Sequence, residues 1–296
     1  MTSATGMARR TATTMIPGRR TMRTRVNPTG WPMARVAPVS HAMGLRAAAG
    51  AGSGGGGGNP FRPPAAGNGG DRLLALLQLA SASFPTGAFT QSYGFETWIN
   101  DGVVADAATA EARCRDWLRF NVATCDAVAM VHAHRAAGAG DVAQLRLLDG
   151  MCTALKLGRE ARAASTMTGR ALVAAVRDVF GLEGARLYGE MVDRDGCPGN
   201  HAVVYGVAAA GLGLGEGEAT TTFLWSALAS LVAICQRLTP FGQVEAQRII
   251  ARAGDLIDAC ADIARTRPLH GMSAAFAALD VAGMRHERMP SRLCIS

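Results

Sequence analysis

The chain has 296 residues, of which 49% are hydrophobic but only 5% aromatic, and its formal net charge is +7. This charge belongs to one end, because residues 1–70 contain nine arginines and no acidic side chain, whereas residues 71–296 carry 21 basic against 23 acidic ones. A nearly neutral body excludes an extended basic face for DNA or RNA. Seven cysteines without a C-x-x-C pair are typical of a reduced, cytoplasmic protein.

Residues 1–70 are predicted to be a disordered leader rich in Arg, Gly and Pro. They contain the glycine run Gly54–Gly58, show no helical or strand periodicity, and offer few large apolar side chains to drive ordering. Their acid-free, Arg-rich composition resembles an organelle transit peptide, which would make the chain an organelle-targeted scaffold. A mis-start upstream of the true first methionine explains the same composition and is favoured.

From residue 71 onward, apolar residues recur with helical spacing and predict one compact all-α domain over 71–296, with roughly nine or ten helices. Asp106 is a suitable N-cap for a long helix that follows it. The two most apolar stretches, 202–215 and 223–235, lack the roughly 20 continuous apolar residues of a membrane helix and are predicted to be core helices. The predicted helices begin near residue 73 and then cover 88–100, 106–138, 141–155, 159–180, 185–192, 200–212, 219–238 and 243–265.

The common catalytic and nucleotide-binding patterns are missing from the sequence. The only lysine, Lys156, lies between two leucines and cannot belong to a Walker phosphate loop, so we expect its amine to reach the surface. No serine stands in a G-x-S-x-G elbow, and His286 is not followed by the second histidine of an H-E-x-x-H motif. We therefore predict no enzyme activity, no metal site and no cofactor held by this chain.

One local group of residues keeps an alternative open. Asp193, Asp195, Cys197 and His201 place hard and soft metal ligands within nine residues. A polar loop that caps the helix opening at Asn200 explains these residues without a metal and is favoured. The alternative is an all-α enzyme with an apolar-ligand or metal site in this loop.

Three segments carry more polar and glycine residues than a core helix needs. Residues 84–96 read FPTGAFTQSYGFE, residues 237–248 read RLTPFGQVEAQR, and residues 285–296 read RHERMPSRLCIS. A tight turn followed by a solvated helix face would explain either of the first two alone. The third mixes charge with Leu293 and Ile295, as expected of a tail that docks on a partner.

In this order and spacing the three segments resemble the UreF family of urease accessory proteins. The stretch LLALLQLASASFPTGAFTQSYGFE, from Leu73 to Glu96, is similar to the family pattern LLxLxSPxxPxGxFxxSxGLE. The second segment is similar to RLxPxGQxxxQR and the third to RHExxxSRLFxS, and the resemblance covers residues 71–296. The chain departs from the family pattern at Ser83-Phe84, at Phe95, and at Cys294, where an aromatic anchor of the tail is missing.

The resemblance implies an all-α cytoplasmic homodimer that assembles other proteins and acts in neither nucleic-acid nor membrane binding. It implies a bridge between UreD and the nickel-carrying GTPase UreG during nickel delivery to apo-urease, with nickel and GTP handled by UreG. The tail is then expected to order when UreD binds. Arg237 and Arg248 are candidates for an arginine that acts on the GTPase, although regulation through binding alone is favoured.

Function is then expected to lie in interfaces, with Glu96 and Arg248 as the leading polar contacts. Glycine and proline residues of the same segments are expected to shape the backbone; they are Pro85, Gly87, Gly94, Pro240 and Gly242. The predicted partner-interface residues are Phe89, Tyr93, Glu96, Arg237, Gln243, Gln247, Arg248, Arg285, His286 and Arg292.

Overall fold

A computed structural model describes residues 59–61 and 69–296, which belong to one compact unit. These residues form helices and connecting turns without a strand, so the all-α class is confirmed for them. Most of the predicted leader lies outside the described residues. Of its members, Asn59 donates hydrogen bonds from Nδ2 to the carbonyls of Ala137 (2.9 Å) and Gly138 (2.8 Å), and Phe61 is buried. This short piece therefore packs on the helical body.

Helix α3 continues through a π-helical stretch, Leu118–Asp126, into α4, and the three form one continuous helix. The twelve α-helices of the described region therefore form eleven separate helical segments. Short 3-10 turns lie at Ala88–Thr90 and Leu269–Gly271. The helices are α1 Gly69–Ala80, α2 Phe95–Asn100, α3 Ala107–Trp117, α4 Ala127–Ala139, α5 Val142–Leu155, α6 Arg159–Phe180, α7 Glu183–Arg194, α8 His201–Gly211, α9 Glu216–Leu238, α10 Gln243–Ala251, α11 Gly254–Thr266 and α12 Ala277–His286.

The structure differs from the predicted helices in three places. The region 88–100 becomes α-helical only at Phe95, because Tyr93 (φ 53°) and Gly94 (φ 91°) adopt left-handed backbone angles. The region 243–265 is two helices that meet at the buried Ala253, which allows α10 and α11 each to turn an apolar face toward α9. Helix α12 was not predicted, since its sequence has weak amphipathic spacing.

Helix α8 lies at the centre of the fold, and all of its residues from Ala202 to Gly211 are buried. It packs between α4 and α6. A Cβ at Gly206 would lie 2.4 Å from the carbonyl oxygen of Met130, so only glycine allows the backbones of α8 and α4 to approach this closely. Helix α9 is long and apolar enough to cross a membrane, but half of its most apolar stretch is buried inside the protein. It is a core helix that packs against α3, α10 and α11.

Candidate functional site

The third segment of the sequence, Arg285–Ser296, is docked on the first segment of the same chain. The carboxylate of Glu96 accepts the backbone N–H of Leu293 at Oε1 (2.6 Å) and that of Cys294 at Oε2 (2.8 Å). The Nε2 atom of His286 lies 3.0 Å from the same Oε2. Glu96 is 5% exposed and His286 is completely buried. One carboxylate therefore joins α2, α12 and the backbone of the tail.

A second carboxylate completes this arrangement. Glu160, near the start of α6, places Oε2 2.7 Å from Nδ1 of His286, while its Oε1 accepts a hydrogen bond from Arg292 Nη1 (2.6 Å). Glu96, Glu160, His286 and Arg292 form what we call the tail clamp. Each buried charge in it faces an opposite or hydrogen-bonding partner, which is the condition under which buried charges are tolerated.

The tail clamp keeps Glu96 ionised. Burial alone raises the pKa of this carboxyl group, but the N–H donors of Leu293 and Cys294, together with His286, outweigh burial and lower the pKa below its ordinary value of 4.5. The carboxylate is thus charged at neutral pH, as its role as acceptor of two backbone N–H groups requires.

The turn before α2 places Glu96 within reach of the tail. Gly94 has φ 91°, and a Cβ there would lie 2.8 Å from the backbone nitrogen of Gly283 in α12. Gly87 also has positive φ (73°), a backbone conformation that favours glycine. Tyr93, itself at φ 53°, stacks on Trp117 with 5.5 Å between ring centroids. Glycine at 94 is therefore what lets α2 touch α12.

Further hydrogen bonds fix the tail beyond the clamp. Ser92 donates from both its backbone nitrogen and its hydroxyl to the carbonyl of Ser296, and Ile295 donates its N–H to the Thr90 carbonyl (2.9 Å). Arg285 forms a two-point ion pair with Asp101, the residue that follows α2, at 2.6 and 3.0 Å. Residues 90–96 of the first segment are thus joined to His286 and to residues 293–296 of the third.

The second segment is hydrogen-bonded to this assembly through Arg237. Arg237, near the end of α9, donates from Nη2 to the carbonyl oxygen of Phe89 (2.6 Å), while the Phe89 ring remains 54% exposed. The structure therefore brings all three segments together, although they are up to about 200 residues apart in the sequence. Local periodicity carries no information on contacts at that separation.

The rest of the second segment lies on the surface. Arg248 is 64% exposed and pairs with Glu245 one turn earlier in α10 (3.1 Å), and Val244 is 67% exposed. Gly242 has φ −85° and open space around its Cα, so its geometry does not require glycine, contrary to the expected backbone role. Pro240 is also exposed. We call the exposed surface of this helix the α10 face; its residues are Gln243, Val244, Gln247 and Arg248.

Comparison with known proteins decides the family. The UreF family model matches residues 104–254. Urease accessory protein UreF of Geobacillus kaustophilus is 31% identical over 227 residues, which cover 76% of this chain and 98% of the relative. The UreF protein of Cereibacter sphaeroides is 34% identical over 221 residues (75% and 97%), and that of Paenarthrobacter aurescens 30% identical over 223 residues (75% and 97%).

The chain belongs to the UreF family. It is therefore an accessory protein of urease maturation and not an enzyme, as the sequence predicted. Membership of the UreF family accounts for the three segments in the sequence, but it does not say which of their residues contact a partner.

In this UreF-family chain, burial separates the predicted interface residues. Glu96 and His286 lie inside the tail clamp, so the expectation that they contact a partner does not fit their positions; their side chains hold the tail instead. The tail itself is already docked on its own chain. Tyr93 is half-buried. The remaining predicted residues are exposed, and their partner contacts stay a prediction; they are Phe89, Arg237, Gln243, Gln247, Arg248, Arg285 and Arg292.

The alternative site at 193–201 does not assemble. Asp193 is exposed, Asp195 pairs with Arg146, and His201 points away into a cluster with Tyr205 and Phe223. Among residues 59–61 and 69–296, no group of three or more His, Cys, Asp or Glu could hold a metal. The favoured alternative, a polar loop that caps α8, does not fit either, because the N-cap residue Asn200 makes no side-chain capping hydrogen bond.

The cap comes from a residue that sequence reasoning missed. Asp149 of α5 is fully buried, and its carboxylate accepts the backbone N–H groups of Gly199 (2.7 Å) and Asn200 (2.8 Å) at the start of α8. It also accepts the hydroxyl of Tyr188 (2.8 Å). Nothing in the local sequence marks Asp149, because its partners come about 50 residues later.

The expectation for Lys156 is wrong. Its amine is not at the surface but lies 2.7 Å from Asp126, the last residue of the π-helical stretch, with a side chain only 12% exposed. Burial alone would lower the pKa of Lys156, but the Asp126 carboxylate outweighs burial and raises it. The sequence did offer one indication: Lys156 is the single lysine in a chain that otherwise uses arginine for this charge.

Proposed function

We propose that this UreF-family chain matures urease by bridging UreD and the GTPase UreG, as a cytoplasmic homodimer, so that nickel reaches apo-urease. Nickel and GTP are handled by UreG in this proposal, and the chain contributes surfaces only. The observation that carries it is the α10 face: its residues Gln243, Gln247 and Arg248 match the family pattern of the second segment, yet their side chains are exposed and contribute little to the packing of this chain.

The composition of the α10 face supports a protein contact. Gln243 and Gln247 are one turn apart, as are Val244 and Arg248, so the four side chains share one side of the helix. An exposed apolar residue flanked by amides and an arginine resembles the centre and rim of a protein interface. The ion pair of Arg248 lies within its own helix and is exposed, so its contribution to stability is small.

The docked tail supports a second contact surface, which we assign to UreD. Leu293 is 82% exposed and Ile295 52% exposed, and Ile295 is hydrogen-bonded beside the exposed Phe89. Three large apolar side chains are thus held at the surface by a buried clamp. In this assignment Glu96 and His286 are positioning residues, and the apolar side chains above them make the contact.

The test is rescue of urease activity in a strain that carries a urease operon but lacks its own UreF. The double variant Gln247→Ala, Arg248→Ala is expected to lower urease activity and urease-bound nickel at least tenfold and to reduce co-purification with UreD or UreG. The matched control is Arg186→Ala, because Arg186 is an exposed arginine whose ion pairs also lie within its own helix, α7. Full rescue by the double variant would remove the α10 face from the proposal.

The domain boundary belongs to the same proposal. We assign function to the helical domain predicted over 71–296 and place its N-terminal edge at Asn59–Phe61, because these residues pack on α4 and α7. Residues 59–296 should therefore rescue urease as well as the full chain does. Rescue by the full chain alone would show that the leader is needed.

A further inference from the structure

A cavity of about 150 Å³ lies between α8, α9, α12 and the residues that precede α2. Its wall includes Glu160 of the tail clamp and Phe89 of the surface that we assign to UreD, so the cavity adjoins both. Asp280 of α12 also lines it. An apolar cavity of about this volume holds benzene, so a group of about six to eight heavy atoms fits here.

Asp280 differs from the other acidic residues of the described wall because its carboxylate has no partner. Asp126 is paired with Lys156, and Glu160 is held in the tail clamp, whereas no described side chain forms an ion pair or hydrogen bond with Asp280. Asp280 is half-buried in the first turn of α12, where a helix favours negative charge. Burial nevertheless raises the pKa of Asp280. This carboxylate has lost water without gaining a donor in exchange.

The described wall therefore carries an excess of negative charge. Its basic side chain, Lys156, is neutralised by Asp126 at 2.7 Å. His201, which also lines the cavity, is neutral at pH 7, since burial lowers its pKa to about 4. A bound anion would be repelled by Asp280, and a neutral molecule would leave this carboxylate unpaired. A cation is the kind of guest that balances the wall.

Aromatic rings adjoin the unpaired carboxylate. Gly94 lies against Gly283 of α12, which follows Asp280 by one turn, so Asp280 and the neighbouring Tyr93 line adjoining parts of the wall. Tyr93 stacks on Trp117, which lines the cavity as well. The face of an aromatic ring attracts an ammonium or guanidinium group, and a guanidinium group also stacks on it. Rings beside a carboxylate thus favour an organic cation.

From these observations we infer that the cavity is a binding site for an organic cation, a guanidinium or ammonium group on a short apolar stem. The charged group pairs with Asp280, and the stem lies along the aromatic rings. A metal ion suits the wall less well, because no three metal-ligating side chains come together within residues 59–61 and 69–296. The cation belongs either to a free amine or to an arginine or lysine side chain of a docked partner, and this second source rests on the bridging function proposed above.

Binding is tested by titrating the full chain with butylguanidinium chloride. Calorimetry measures the affinity, and the melting temperature should rise because the ligand is specific to the folded state. We expect saturable binding in the millimolar range or below. Butanol and butyrate carry a similar stem without the positive charge and should bind at least about tenfold more weakly. No saturation by butylguanidinium in the millimolar range, or equally tight binding of butanol, would overturn the site.

A substitution at Asp280 locates the bound cation. Asp280→Asn keeps the shape of the side chain and removes its charge, so it should weaken butylguanidinium binding about tenfold. Without ligand it should melt no lower than the wild type, because the carboxylate makes no bond within the described fold. Asp255→Asn is the matched control, since Asp255 is an exposed aspartate in the first turn of α11 and does not line the cavity. Equal affinity of the wild type and Asp280→Asn would overturn the assignment.

Recovery of UreD in a pull-down identifies the source of the cation. Loss of UreD from Asp280→Asn but not from Asp255→Asn would show that the cation is a side chain of the partner. Normal recovery of UreD, together with weaker butylguanidinium binding, would show that it is a free amine. If the wild type recovers no UreD, the bridging function fails, and the titration still decides whether the cavity binds a cation.

Discussion

The tail clamp and the α10 face come from segments with the same kind of sequence signal, yet their side chains do different things. In the tail clamp, Glu96 and His286 are buried, and the partners of Glu96 lie about 190 residues away. On the α10 face, Arg248 is exposed and its ion pair spans a single helical turn. A polar residue in a family pattern can thus stabilise the fold or remain free for a partner, and burial separates the two cases. Stability and assembly should therefore respond to different substitutions.

The largest effect is expected at Glu96. Glu96→Ala leaves the N–H of Cys294 and Nε2 of His286 buried without their partner, and the part-buried N–H of Leu293 without its acceptor, so the free energy of unfolding should fall by about 3 kcal/mol. Urea titration followed by circular dichroism measures this. Glu245→Ala on α10 is the control and should leave the free energy of unfolding almost unchanged, because its ion pairs are exposed. Equal decreases in the free energy of unfolding of the two variants would contradict the conclusion that the tail clamp stabilises the fold and the α10 face does not.

Substitutions at Gly94 and Gly242 are expected to give the next largest difference in stability. Gly94→Ala must place a Cβ against α12 at positive φ and should lower the free energy of unfolding by about 2 kcal/mol. Gly242→Ala has a permissive φ and open space, but alanine is a poorer N-cap of α10 than glycine, so these opposing effects should change the free energy of unfolding by less than about 1 kcal/mol. Thermal unfolding of both variants provides the comparison. A tolerated Gly94→Ala would mean that α2 and α12 are not held as closely as described.

Acid should weaken the tail clamp in a defined range of pH. Because the pKa of Glu96 is lower in the folded chain than its ordinary value of 4.5, the unfolded chain takes up the proton first as the pH falls. Stability from this group is therefore complete above about pH 5 and is lost as the pH falls below 4.5, by at most about 1.4 kcal/mol per pH unit. Unfolding of Glu96→Gln should depend less on pH between 5 and 3. Parallel curves for wild type and variant would contradict this.

The smallest change in stability is expected at Arg248. Arg248→Ala should alter the free energy of unfolding by less than about 0.5 kcal/mol, since the side chain is 64% exposed. The same variant should reduce recovery of the complex with UreD and UreG in a pull-down. A variant that destabilises the chain and leaves assembly intact would reverse the roles assigned to the two regions.

The sequence predicted the helical class and most helix positions because apolar periodicity is a local property. It missed the break at Ala253, and it extended a helix across Tyr93 and Gly94, where the backbone has positive φ angles and Gly94 lies against α12. Glu96 and His286 were recognised as important, but not as partners of each other. Their contact and their burial both depend on the packing of α2 against α12, and the two residues are 190 positions apart in the sequence.

The tail clamp also affects how the chain can fold as it is made. Glu96 receives its backbone donors from residues that follow it by 197 and 198 positions. During synthesis, α2 therefore leaves the ribosome long before these donors exist, and its carboxylate stays hydrated. Such distant contacts fold late, because a long loop must close before they form. Native packing around α2 is thus withheld until the last turns of the tail emerge, and a chain interrupted before Leu293 keeps an incomplete, protease-sensitive surface there.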